Sequence, residues 1–67
     1  SVDEKRLFQI VRIGFSSRRK QLQNNLAAGL KMSRPAAVTA LQQVGLDPKV
    51  RAQELSVQDW IALAQIL

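Results

Sequence analysis

Apolar positions along the chain recur at spacings of three and four residues, and no stretch of useful length alternates between apolar and polar positions. The first spacing is typical of helices with one buried face, whereas alternation is typical of half-buried strands. Glycine or serine interrupts the pattern near Gly14, Ser33, Gly45 and Ser56. The sequence therefore predicts an all-α fold, a small compact bundle of about four helices plus a short helical turn.

The first predicted helix runs from about Asp3 to Gly14, and Asp3 is expected to cap its N-terminus. Phe15 is expected to hold the following turn against the core. Ile13 lies away from the apolar stripe, so we expect it to contact something outside this chain. The stripe that should face the core consists of Leu7, Phe8, Val11 and Phe15, flanked by Ile10.

The second and third helices are predicted from their start signals and their leucine spacing. The second should be capped by Ser16 or Ser17 and run to about Leu30, because leucines recur every four residues within it. The third should begin near Ser33 and end at about Val44. Both helices then present one apolar face to a shared core.

The C-terminal part is predicted to contain one tight turn and one more helix. Gly45 should close the third helix in the left-handed conformation, and a short turn or single helical turn should follow over about 47–51. The last helix is expected over about 57–67. It should begin with a capping box in which Ser56 and Asp59 bind each other's backbone.

Composition argues against catalysis by this chain alone. Its 67 residues allow one domain and include neither cysteine nor histidine, which removes disulfides, thiolate metal sites and the commonest general base. Asp3, Asp47 and Asp59 are interpreted as caps, and the three glycines stand apart near helix ends instead of forming a phosphate-binding loop. We expect no active site, cofactor site or metal site here, and no membrane partner.

The net charge of +5 is concentrated in residues 18–34, which contain five bases and no acid. Such a segment favours polyanions such as RNA, DNA or an acidic membrane surface. Arg18, Arg19 and Lys20 would fall in the first turn of the predicted second helix, where each cation is unfavourable by roughly 0.3–1 kcal/mol because the helix dipole is already positive. A bound phosphate would explain them. The alternative is an ordinary solvated face.

Six residues are the candidate RNA-binding set. Lys20, Asn24 and Lys31 would share a helical face, so Asn24 is assigned to the basic surface. Asn25 is expected to turn inward near Leu22 and Leu26. The two asparagine amides could fasten a neighbouring loop or contact a nucleotide, and the structural role is favoured. Trp60 could stack on a base, but its apolar helical stripe favours a core position. The complete set is Arg18, Arg19, Lys20, Asn24, Lys31 and Arg34.

Two stretches resemble motifs of the bacterial KsgA-type rRNA adenine dimethyltransferases. Residues 15–26 read F-S-S-R-R-K-Q-L-Q-N-N-L, which is similar to that family's F-S-x-R-R-K-x-L-x-N-x-L signature. Residues 45–48 and 51–56 read G-L-D-P and R-A-Q-E-L-S, similar to the family's G-I/L-D-P and R-A/P-x-x-L-S/T segments. The last helix with Trp60 also fits, so the resemblance covers nearly the whole chain in the right order.

The resemblance implies that residues 1–67 are a single helical C-terminal domain of such an enzyme. The family transfers methyl groups from S-adenosylmethionine to two adjacent adenines near the 3′ end of small-subunit rRNA, using a preceding Rossmann-like catalytic domain whose motifs are absent from this chain. By resemblance, Arg18, Arg19 and Lys20 would help dock the enzyme on the small ribosomal subunit. A cytoplasmic monomer is expected.

Two other functions remain open from the residues themselves. One is a stand-alone DNA-binding module of the helix-hairpin-helix kind, with residues 44–46 at its turn, although that motif usually has a second glycine where this chain has Asp47. The other is a protein–protein docking domain that contacts its own catalytic domain through Ile13 and the first helix. The second alternative is compatible with RNA docking.

Overall fold

The computed structural model describes residues 3–67 and contains four α-helices. They are α1 (Glu4–Gly14), α2 (Leu22–Leu30), α3 (Arg34–Gln43) and α4 (Val57–Ile66). A short 3-10 helix, Ala52–Glu54, precedes α4. The predicted all-α bundle is confirmed. The short turn or single helical turn predicted over about 47–51 is a turn at 48–49, and this 3-10 helix follows it.

Three of the four helices begin at the caps that the sequence predicts. Asp3 Oδ1 accepts the Lys5 N–H at 2.9 Å, and Ser33 Oγ accepts the Ala36 N–H at 3.2 Å. Ser56 Oγ accepts the Asp59 N–H at 3.2 Å, while Asp59 Oδ2 accepts the Ser56 N–H at 3.0 Å. These bonds satisfy N–H groups that have no partner within a helix.

The second helix begins later than predicted, at Leu22, and neither Ser16 nor Ser17 caps it. A helix starting at Ser17 would need the Ser17 carbonyl to accept from residue 21. Instead that carbonyl accepts the Asn25 side-chain amide at 2.9 Å and the Lys20 N–H at 3.4 Å. The Leu22 N–H bonds to the Val50 carbonyl at 2.9 Å, so residues 16–20 form a turn outside the helix.

The core lies where all four helices meet. α1 packs against α2 and α4, and α3 packs against α2 and α4. Trp60, 6 % exposed, joins this core as predicted. The fully buried side chains of the core are Ile10, Leu22, Leu26, Leu41 and Leu63.

Two glycines let α1 approach its neighbours. A Cβ at Gly14 would lie 2.5 Å from Trp60 Cη2 in α4, and a Cβ at Gly29 would collide with Ile13. The expectation that Ile13 contacts something outside the chain is therefore wrong, because Ile13 packs on α2 at Gly29 instead. Gly45 adopts φ +80°, which confirms the predicted left-handed turn after α3.

Half of the stripe predicted for α1 is not in the core. Phe8 is 67 % exposed and Phe15 is 42 % exposed, whereas Leu7 and Val11 pack against the buried cluster. The Phe15 ring contacts the edge of the core through Trp60, with ring centroids 5.7 Å apart. The apolar face of α1 is thus wider than the surface that the other helices cover. Within residues 3–67, no helix has the length and apolar character to cross a membrane.

Candidate nucleic-acid interface

Residues 15–21, named here the basic loop, connect α1 to α2 and carry three exposed cations, Arg18, Arg19 and Lys20. The loop is fastened to α2 by one buried side chain. Asn25, 4 % exposed, donates its Nδ2 hydrogens to the carbonyl oxygens of Gly14 and Ser17, each at 2.9 Å. The sequence-based expectation that Asn25 turns inward and fastens a loop is confirmed. The cations therefore project from a fixed backbone.

A second polar side chain ties the far end of the basic loop to the turn after α3. Gln23, 9 % exposed, donates from Nε2 to Gln21 Oε1 at 2.8 Å and to the Pro48 carbonyl at 3.1 Å. The sequence offered no signal for this role, since a glutamine in a polar stretch is usually solvated. With Asn25, it holds both ends of the loop.

The five acidic residues lie outside the basic segment, and the side chains of four of them accept backbone N–H groups. Asp3 and Asp59 cap helices, Asp47 Oδ1 accepts the Lys49 N–H at 2.8 Å, and Glu54 Oε1 accepts the Arg51 N–H at 2.9 Å. No acid occurs between residues 5 and 46 of the sequence. The positive charge of the loop is consequently not neutralised by nearby residues of its own segment, and it can attract an external anion.

The loop and two helices meet at a shallow open depression of about 540 Å³. Lys20 reaches it from the loop, Asn24 from the exposed side of α2, and Arg34 from the first turn of α3. These are three of the six predicted residues, and the structure brings them together. The floor between them is formed by Ala27, Ala28 and Met32, which the sequence did not single out.

The other three predicted residues, Arg18, Arg19 and Lys31, do not line this depression. Arg18 and Arg19 are exposed on the basic loop. Lys31 is also exposed, but it ends α2 in the left-handed conformation with φ 54°. The predicted face shared by Lys20, Asn24 and Lys31 is therefore only partly right, because Lys20 precedes the helix and Lys31 terminates it.

The proposed anion site at a helix N-terminus needs correction as well. Arg18, Arg19 and Lys20 lie before α2, so they do not occupy its first turn. The first N–H group of α2, on Leu22, already donates to Val50 O, and those of Asn24 and Asn25 donate to Gln21 O. An anion at this surface would therefore be bound by side-chain cations, with little contribution from the helix end.

These features define a class of protein: a small helical module with a fixed, cation-bearing loop, in which four of the five acidic side chains bind backbone N–H groups. Within residues 3–67, no group of three or more potential metal-binding side chains occurs. The exposed cations of such a module favour a polyanion as its ligand.

Comparison with known proteins identifies relatives of this chain. Three proteins named ribosomal RNA small subunit methyltransferase A match nearly all of the chain. The one from Dehalococcoides mccartyi strain BAV1 is 44 % identical over 59 residues, which is 88 % of this chain and 20 % of the relative. Those from Trichormus variabilis and Lactiplantibacillus plantarum are 38 % and 42 % identical, each over 97 % of this chain and 23 % of the relative. No family model matches.

The chain is homologous to the C-terminal segment of the ribosomal RNA small subunit methyltransferase A family, which confirms the resemblance seen in the sequence. It spans about a fifth of the length of the relatives it matches.

Proposed function

We propose that this chain is the C-terminal domain of an S-adenosylmethionine-dependent rRNA adenine dimethyltransferase and that it docks the enzyme on the small ribosomal subunit. The enzyme acts as a cytoplasmic monomer. The observation that carries the proposal is a depression lined by Lys20 of the rigidly held basic loop and by Arg34 of α3. The same loop also bears Arg18 and Arg19. Because the relatives are named ribosomal RNA methyltransferases, rRNA is the polyanion in this proposal.

Structured RNA presents mainly phosphates and 2′-hydroxyls to a protein, because the deep major groove of its helices excludes side chains. Contacts to phosphate position the protein and carry no sequence information. Arginine suits this task, since its planar guanidinium can bind phosphate through two parallel hydrogen bonds. A fixed loop loses less conformational freedom on binding than a mobile one would.

Catalysis belongs to the Rossmann-like part of the enzyme that precedes this domain. S-adenosylmethionine supplies the methyl groups there. The residues of this chain do not fit that cofactor, because Gly14 and Gly29 are packed against Trp60 and Ile13, and Gly45 forms an exposed turn. The contribution of this domain is to bind and orient the subunit, not to move a proton or a methyl group.

The structure disfavours the helix-hairpin-helix alternative. That motif needs two α-helices joined by a short turn around the glycine. Here Gly45 ends α3, and a further turn and a 3-10 helix intervene before α4 begins at Val57.

Steady-state methylation by the full-length enzyme tests the proposal. Replacing Arg18, Arg19 and Lys20 together with alanine should raise KM for small subunits roughly tenfold or more, because phosphate contacts are lost, and should leave kcat near its wild-type value. The control variant removes Lys5 and Arg12, two exposed cations of α1 that do not line the depression, and should change KM by less than about threefold. An unchanged KM in the loop variant, or equal effects of both variants, would refute the docking role.

A gel-shift measurement separates RNA docking from DNA binding. The wild-type enzyme should shift small ribosomal subunits at concentrations that leave a duplex DNA of similar charge unbound. Preference for the DNA would favour the alternative.

A further inference from the structure

Both phenylalanines of this chain are largely exposed, although aromatic side chains usually dominate the core of a small domain. Phe8 is 67 % exposed and Phe15 is 42 % exposed. They are seven residues apart, two helical turns, so they lie on the same side of α1 and its C-terminal end. Val11 lies between them and is half-buried. The three residues, named here the α1 edge, form an apolar strip that the exposed Arg12 borders.

The strip is an extension of the core rather than a set of isolated surface residues. Val11 packs against the buried cluster, and the Phe15 ring lies 5.7 Å from that of Trp60. The sequence pattern assigns all three positions to a buried face, yet no helix of this domain covers Phe8. An apolar strip whose sequence pattern predicts burial, but which stays exposed in this domain, indicates a contact surface for another element.

We propose that the α1 edge is the surface on which the preceding catalytic part of the same polypeptide packs. This inference rests on the proposed function, which places a catalytic part before this domain. The relatives are four to five times longer than this chain, which matches their C-terminal end. The remaining four fifths therefore join the domain at the start of α1, the helix that carries the strip.

Area and connectivity favour this occupant over a second copy of the chain. Two aromatic side chains bury about 150–250 Å² each, well below the roughly 1,200 Å² of a stable interface between separate proteins. A covalently joined partner needs far less area, because its effective concentration reaches the order of millimolar. The three residues of the strip supply no cation for an RNA backbone, although the exposed Arg12, four residues from Phe8, lies beside them.

Hydroxyl-radical footprinting of the full-length protein, without RNA, measures whether the strip is covered. Val57 is the internal control, since its exposed fraction of 72 % is close to that of Phe8. After correction for the intrinsic reactivity of each residue type, Phe8 should be oxidised at least about fivefold more slowly than Val57 if the catalytic part covers it. Equal corrected rates would overturn the inference.

The same measurement distinguishes the other occupants. Protection of Phe8 should be equal at protein concentrations a hundredfold apart, with light scattering showing a monomer at both. Protection that grows with concentration, or that arises only when ribosomal subunits are added, would overturn the inference in favour of a second copy or the ribosome.

A variant gives an independent readout. Phe8→Ser should accelerate limited proteolysis at the junction before Asp3 several-fold, whereas Val57→Ser should not. Unchanged proteolysis of the Phe8 variant would contradict the inference. The oxidation rate of Phe8 in the free enzyme and the proteolysis rate are both measured without ribosomal subunits. Freely oxidised Phe8 together with the KM change expected for the basic-loop variant would therefore remove this inference and leave the proposed function standing.

Discussion

The side-chain nitrogen of Asn25 lies 2.9 Å from the carbonyl oxygen of Ser17, and this hydrogen bond fixes the backbone from which Arg18, Arg19 and Lys20 project. The same nitrogen bonds to the carbonyl of Gly14, the last residue of α1. This one buried amide thus binds both the last residue of α1 and the loop before α2, and it shapes that loop.

Replacing Asn25 with leucine should destabilise the chain by about 1–3 kcal/mol, because two carbonyl groups lose their buried donor. Urea denaturation measures the loss. The matched change Asn24→Ala removes a half-exposed amide from the same helix and should alter the free energy of unfolding by less than about 0.7 kcal/mol. We expect a small increase, because alanine has a higher helix propensity than asparagine. Equal losses at both positions would show that Asn25 has no special role.

The two glycines at 14 and 45 should respond to alanine for different reasons. Gly14→Ala places a methyl group 2.5 Å from Trp60 Cη2 and should cost about 1–3 kcal/mol through overpacking, with a change in Trp60 fluorescence. Gly45→Ala has free space but requires φ +80° and should cost about 1–2 kcal/mol, with the fluorescence unchanged. A normal thermal midpoint for Gly14→Ala would contradict the packing described here.

Arg34 and Lys31 should differ in their effect on subunit binding, although both are exposed cations near α2. Arg34 lines the depression beside Lys20, whereas Lys31 does not. Arg34→Gln should therefore weaken the affinity of the full-length enzyme several-fold, and Lys31→Asn should change it less than twofold. Asparagine is chosen because it tolerates the left-handed conformation of residue 31. A larger loss from Lys31→Asn, measured by filter binding, would move the docking surface away from the depression.

Features set by neighbouring residues were predictable from the sequence, whereas features set by distant contacts were not. The caps at Asp3, Ser33 and Ser56 depend on residues two or three positions away and were confirmed. The predicted start of α2 was wrong because the Leu22 N–H bonds to the carbonyl of Val50, which is distant in the sequence. This contact competes with the local capping signal of the serines.

The same distinction applies to the candidate site. The sequence identified the cations from the absence of acids around them. It did not predict that Lys20 and Arg34 share one depression, because that depends on how α2 packs against α3. The sequence also did not predict that Phe8 is exposed. The pattern of α1 predicts an apolar face, but it does not indicate how much of that face the other helices cover.

The salt dependence of subunit binding tests the docking role of the basic loop most directly. Each phosphate contact contributes roughly 0.7–0.9 to the slope of log affinity against log salt concentration. The full-length enzyme lacking the charges of Arg18, Arg19 and Lys20 should show a slope shallower than wild type by about two to three, while the control variant lacking Lys5 and Arg12 keeps a slope near wild type. A wild-type slope in the basic-loop variant would show that these cations do not contact the RNA backbone.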